Sequence, residues 1–349
     1  MNQVAIPGEQ SQPPTIERTS AEGGGLASLF LKKEMGIFLL LVVLCVVGQL
    51  KNPQFLSAIN LHNLSQQVGM FGIFSLGMGF VIITGGIDLS VGSVMALQGV
   101  LLAMMLNEKQ WPWPLALALS VLLCVVLGAF NGFLITKVRL QPFIVTLCGL
   151  LFYRGAARFV TNDETKGFGE AKGFEGVQKF FAGDIFGVPS SILLLLVVAA
   201  VMWVFLHRST YGRYLYAAGR NEDAARYSGI NTRSIISSAY IILGLLTAIS
   251  GILFAFYTNS VQGSAQAQSY ELYGVAAAVL GGCSLRGGEG SIIGIVLGAI
   301  LLQVLQNLVN LLGIPSSLNF AVMGAVILLG VLADQLIKNR KPKVAKAAA

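Results

Sequence analysis

The chain has 349 residues, enough for one large or two ordinary soluble domains, but it is 55% hydrophobic and only 11% charged, well under the roughly 25% charged content of a soluble domain. Its formal charge of +7, from 23 Lys and Arg against 16 Asp and Glu, is not gathered on a solvated face as nucleic-acid binding requires. Long uncharged runs point instead to a polytopic integral membrane protein of the all-α class.

Residues 1–34, rich in Gly, Pro, Ser and Glu, read as a disordered cytoplasmic tail without a cleavable signal peptide. A transmembrane domain over 35–337 follows, and a basic cytoplasmic tail, 338–349, ends the chain. A helix needs about 20 mainly apolar residues to cross the hydrocarbon core. Such runs occupy about 35–50, 66–84, 89–106, 114–136, 143–160, 188–206, 235–257, 291–312 and 318–337; a tenth, at about 271–283, is short and interrupted by glycines. The runs are continuous rather than alternating, so a helical bundle of about ten spans is expected in preference to a β-barrel. With ten spans, 16 of the 23 Lys and Arg, among them Arg208, Arg213, Arg220, Arg226 and Arg233, fall on the side of the termini, which places both termini in the cytoplasm. A re-entrant 271–283 would invert the later spans unless a second break, near Gly85, compensates.

The motifs follow in chain order. Gly85-Gly86-Ile87-Asp88-Leu89-Ser90-Val91-Gly92-Ser93 lies between two apolar runs, and Asp88 reads as the only acid well inside the membrane region. A carboxylate there costs about 2.5–3.5 kcal/mol or more unless it is solvated or paired. Asp88 or Ser90 can cap the helix 89–106; the same two residues also suit a gate or pathway element, and both readings stand. The largest cytoplasmic loop, about 207–234, holds an N-cap at Asn221, dipole-complementing Glu222 and Asp223, then Ala224 and Ala225, and a stop at Gly229. These predict a helix of about seven residues, too short to persist alone. It either docks on a partner or is a solvated connector. Gly281 through Ser291 forms a glycine-rich turn. Gln303, Gln306, Asn307 and Asn310 fall on one helical face, which looks either at a water-filled pathway suited to polyols or at another helix.

No G-x-x-x-x-G-K-[ST], H-E-x-x-H or G-x-S-x-G occurs, and Cys45, Cys124, Cys148 and Cys283 lack metal-site spacing. No catalytic set, metal or cofactor is expected. The four thiols read as buried and inert. The chain also lacks an energy source of its own.

Thr84 through Ser93 closely resembles the hallmark of bacterial ABC sugar-importer permeases, which serve ribose, xylose, arabinose, galactosides and similar sugars. Ser209-Thr210-Tyr211-Gly212-Arg213, Ala217 through Arg226, and Ser228-Gly229-Ile230 look like that family's coupling loop. Ala276 through Gly282 and Gly287 through Ser291 match its third landmark, and the resemblance covers about residues 35–337. The related branched-chain amino-acid permeases share the architecture. The resemblance implies a multi-pass subunit of the bacterial inner membrane, paired with a second permease copy and driven by separate cytoplasmic ATPase subunits. A periplasmic or lipid-anchored sugar-binding protein would deliver a ribose-like pentose. Asn221–Ser228 would dock on the ATPase, with Arg213, Asn221, Glu222, Ala224, Ala225 and Gly229 as the coupling set. Gln262, Gln266 and Gln268 would meet the sugar in the outer loop 258–271. A stand-alone secondary transporter using Asp88 is the rival reading. Two departures are the long charged outer segment Thr161–Gly187, and Cys283 where a small polar residue is common.

Overall fold

The computed structural model describes residues 33–169, 173–315, 318, 321–325, 328 and 332. Residues 1–32 of the predicted N-terminal tail, the basic C-terminal tail and most of the run 318–337 lie outside the described residues, and Lys33 and Glu34 already belong to the first helix rather than to the tail. The helices that position the site are α1 (Lys33–Lys51), α2 (Ala58–Ile83), α3 (Val91–Ala103, extended by a π turn Met104–Glu108), α4 (Trp113–Thr136) and α5 (Pro142–Thr161). After β1 (Thr165–Gly167), α6 (Glu175–Ala182), β2 (Asp184–Ile185) and β3 (Val188–Pro189) come α7 (Ser190–His207), α8 (Thr210–Arg220) and α9 (Glu222–Tyr227). The series closes with α10 (Thr232–Thr258), β4 (Ser260–Gln262), α11 (Tyr270–Leu280) and α12 (Ile292–Leu311). Side-chain caps set several starts: Ser57 accepts from Asn60 N ahead of α2, and Ser291 from Gly294 N ahead of α12.

Among the described residues seven helices are long and apolar enough to cross a membrane, and α1 and α11 contribute shorter apolar helices. The protein is a polytopic membrane helical bundle. Its helices sort into two shells. The apolar windows of α2, α3, α10 and α12 are 94%, 72%, 72% and 67% buried, those of α4, α5 and α7 only 33%, 28% and 22%. The outer three turn large side chains such as Leu122, Phe130, Phe152, Leu196 and Val201 away from the bundle, as lipid-facing helices do. Gly128 and Gly132 of α4 meet the α10 backbone at Tyr240 and Ser237. Small residues let these two helices approach closely.

Two connections between helices are non-helical and packed into the bundle. After α2, Gly85 takes φ +83°, and the chain runs to Ser90 without helix before α3 begins. After α10, Asn259 takes φ 52° and the next helix starts only at Tyr270. This second stretch lies antiparallel to α3: Val261 sits against Gly99, whereas Ala267 and Glu271 sit against Gly92. α11 itself rises only about 16 Å at 1.5 Å per residue, about half of the hydrocarbon thickness. The segment expected at 271–283 is therefore a half-length helix preceded by non-helical chain. Glu271, in its first turn, is 8% exposed, so Asp88 is not the only acid inside the bundle. The sequence hid this because the stretch before Glu271 carries no helical period.

The charged segment Thr161–Gly187 builds a cap beside β4. β1 pairs antiparallel with β4, and Phe168 and Phe174 pack on Phe256 of α10. Lys166 bridges Glu108 and Glu164 at 2.9 and 3.1 Å. The hydrogen bond from Arg158 holds the exposed Asp163 carboxyl below its ordinary value. Of the four cysteines, Cys124 and Cys283 are buried as expected, Cys45 is half-buried and Cys148 is exposed. The last departs from the sequence reading because it sits on the outer face of α5.

Candidate functional site

The three sequence motifs, more than two hundred residues apart at their extremes, meet in one place. The carbonyl of Ile83, at the end of α2, accepts the Gly288 N–H at 2.8 Å. Gly219 of α8 lies against the same carbonyl, where a Cβ would overlap it and the Gly288 nitrogen. Gly287, at φ +81°, abuts the Gly219 carbonyl and the Gly85 nitrogen. Glycine is required here for backbone-to-backbone approach as well as for turning. The Tyr216 hydroxyl donates to the Gly290 carbonyl at 2.7 Å; burial lifts this phenol to about 12, which keeps it a donor at neutral pH. Burial also lifts Tyr211 to about 12, and its oxygen accepts from Ser238 Oγ at 2.9 Å, tying α8 to α10.

α9 projects from this junction. The Asn221 side chain accepts from Ala224 N at 2.9 Å, Ser228 N returns to the Ala224 carbonyl, and Gly229 leaves at φ +84°. Six helical residues form, against about seven expected. Glu222 accepts from Thr232 Oγ1 at 3.1 Å, holding the helix start to α10, and Asp223 pairs with Arg226 at 2.7 Å. Ala225 is buried, while Arg213, Glu222, Asp223 and Ala224 are exposed. Tyr227, 85% exposed beneath the Arg226 guanidinium, went unnoticed in the sequence because one aromatic in six residues carries no pattern. Between α9 and the turn 137–141 opens a pocket of about 410 Å³ lined by Gly85, Gly86, Arg139, Arg226, Arg233 and Tyr240 among others.

Asp88 is 3% exposed. Its Oδ1 accepts from Ser90 N at 2.7 Å and Ser90 Oγ at 2.6 Å, and Asn131 Nδ2 approaches Oδ2 at 3.3 Å. The carboxylate thus closes an Asx turn just before α3, whereas Ser90, at the N-cap position, makes no side-chain cap bond. Thr146 of α5 donates to the Ile87 carbonyl at 3.3 Å. Asn131 and Thr146 were missed in the sequence: single small polar residues inside apolar runs give no spacing signal.

The amide stripe lies elsewhere. Asn307 exchanges two hydrogen bonds with Asn60 at 2.7 and 3.0 Å, Gln306 bonds the Tyr273 side chain, Gln303 is buried and Asn310 is exposed. Two of the four are thus engaged with neighbouring elements, and no hydrogen bond joins the stripe to Asp88. In the loop 258–271, Arg154 donates to the carbonyls of Gly263 and Gln266 at 3.1 and 2.6 Å; Gln266 is buried, Gln262 and Gln268 exposed. Among the described residues no three His, Cys, Asp or Glu side chains group as a metal site.

Residues 60–331 match the family described as branched-chain amino acid transport system / permease component. The chain is 40% identical over 304 residues to the ribose import permease protein RbsC of Bacillus subtilis (strain 168), covering 87% of this chain and 93% of that protein. It is 38% identical over 305 residues to the Escherichia coli (strain K12) RbsC, covering 87% and 94%. With the D-allose transport system permease protein AlsC of Escherichia coli (strain K12) it shares 32% over 312 residues, covering 89% and 94%. No solved structure matches. With the family matched over most of the chain and these relatives along nearly their whole length, the chain belongs to the branched-chain amino acid transport system / permease component family.

Proposed function

We propose that this chain is the inner-membrane permease subunit of an ABC importer that carries a ribose-like monosaccharide. The observation that carries the mechanism is the junction at Ile83, Gly219 and Gly288. It fastens the capped, outward-facing α9 to the break that leads to Asp88. A push on α9 reaches the membrane interior through backbone contacts rather than flexible side chains. With no P-loop motif in the sequence, a separate ATPase supplies that push. α9 is the docking element, with Arg213, Asn221, Glu222, Ala224, Ala225 and Gly229 in the coupling set and Tyr227 added. Asp88 and Ser90 shape the break, while Gln303, Gln306, Asn307 and Asn310 serve packing as well as the pathway. The reading further takes ten spans, both termini in the cytoplasm, a second permease copy, and delivery by a sugar-binding protein at the outer loops. Ribose as cargo is supported by what the relatives are named for.

The test is reconstitution with the cognate ATPase and binding protein in liposomes. ATP-dependent ribose uptake is expected; uptake by the chain alone on a proton or sodium gradient would overturn the reading. The family description names branched-chain amino acids. Leucine uptake in place of ribose would move the cargo to that class.

A further inference from the structure

Three arginines from three elements line the pocket of about 410 Å³ beside α9: Arg139 in the turn between α4 and α5, Arg226 in α9, and Arg233 in the first turn of α10. Clefts of about 300–1,000 Å³ hold small-molecule ligands. Glu222 and Asp223 are the acids on its wall. Asp223 pairs with Arg226 at 2.7 Å, whereas Arg139 and Arg233 take part in no ion pair among the described residues. Three guanidiniums against two carboxylates leave the wall one positive charge in excess. The pocket also borders apolar surface. Leu140 lines it and is itself exposed, as are Val138 before it and Phe143 and Ile144 at the start of α5. Both α4 and α5 belong to the lipid-facing shell, so acyl chains reach this rim.

We propose that this pocket binds the headgroup of an anionic phospholipid, drawn by the excess positive charge of its wall, with the acyl chains lying along Leu140, Phe143 and Ile144. Basic pockets between transmembrane helices at the membrane surface take such headgroups, and guanidinium groups suit phosphate oxygens. A headgroup extends across a pocket of this size, so the arginines need not converge on one atom. The single negative charge of a phosphodiester balances the wall. A soluble phosphate monoester, close to two negative charges at neutral pH, would overshoot that balance and leave the apolar rim bare. Zwitterionic lipid brings no net charge to meet it. Because α9 supplies part of the wall, a seated headgroup braces the docking element against the turn 137–141; this last role alone rests on the ABC importer reading.

Native mass spectrometry of the purified full chain, without ATPase, tests this with phosphatidylglycerol and phosphatidylcholine titrated in equal amounts. One phosphatidylglycerol per chain should be retained in preference to phosphatidylcholine. Arg139→Gln and Arg233→Gln should each weaken that retention about fivefold. Both side chains are exposed, and surface substitutions of this kind leave stability nearly unchanged. Arg208→Gln, exposed but not on the pocket wall, should retain the lipid as the parent chain does. Glycerol phosphate, a phosphate ester without acyl chains, should not displace it. Equal retention of the two lipids, unchanged retention in either pocket variant, or the same loss in Arg208→Gln would overturn the proposal. So would displacement by glycerol phosphate, which would make the occupant a soluble phosphate ester. With no ATPase or sugar present, these outcomes stand apart from the success or failure of the transport reading.

Discussion

Gly219 has no side chain because the Ile83 carbonyl and the Gly288 N–H occupy the space one would need. Backbone atoms cannot swing aside as a flexible side chain does, so Gly219→Ala must separate α8 from the end of α2. Overpacking of this kind costs about 1–3 kcal/mol. The expected outcome is a lower unfolding midpoint together with loss of ATP-driven uptake. Gly176→Ala, on α6 with nothing near it, should change neither. Measuring both variants in the reconstituted transporter checks it, and a silent Gly219→Ala would remove the junction from the mechanism. The glycines at 85, 287 and 288 were visible in the sequence as turn residues, and Gly219 only as part of the segment that resembles a coupling loop. That they exist to let three segments touch was not, since no one-dimensional pattern encodes which backbones meet.

At the scale of elements, α9 owes its six residues to its ends. Asn221→Ala removes a cap worth about 0.5–2 kcal/mol, and Gly229→Ala forces a left-handed residue at about 1–2 kcal/mol, with no neighbouring atom in the way. Both should reduce ATPase binding while leaving the unfolding of the bundle nearly unchanged; Asn221→Asp, which still caps, should bind normally. Tyr227→Ala should weaken ATPase binding roughly tenfold or more if this aromatic anchors the contact. Pull-down or calorimetric titration with the ATPase reads all four. The element was legible beforehand because caps are local chemistry. Helix positions were legible for the same reason, through long apolar runs, nine of which overlap helices in the described residues. The non-helical stretches at 84–90 and 259–269 were legible as gaps between the apolar runs, but their packing against α3 and the glycine junction was not. Neither carries a period, and Glu271 looked like a loop residue until its burial against Gly92 was seen.

For the molecule as a whole, the expected topology puts α9 and the cap built by Thr161–Gly187 on opposite sides of the bilayer. In a variant with Cys45 and Cys148 replaced by Ser, a cysteine at Tyr227 should react with a membrane-impermeant maleimide only from the cytoplasmic side. One at Lys179 should react only from the outside. Labelling of both from one side would overturn the ten-span topology, and labelling of Tyr227 from the outside would separate α9 from a cytoplasmic ATPase. The outcome rests on sidedness alone, because Tyr227 is fully presented and Lys179 lies on the surface of α6.

The exposed thiol of Cys148 has a practical consequence. It stands on the outer face of α5 between Leu147 and Leu151, both turned away from the bundle. Nature has thus left a chemical tag on the wild-type subunit. A spin label or fluorophore attached there would tell oil from water and a bare face from one shielded by a neighbouring subunit, without altering a single codon.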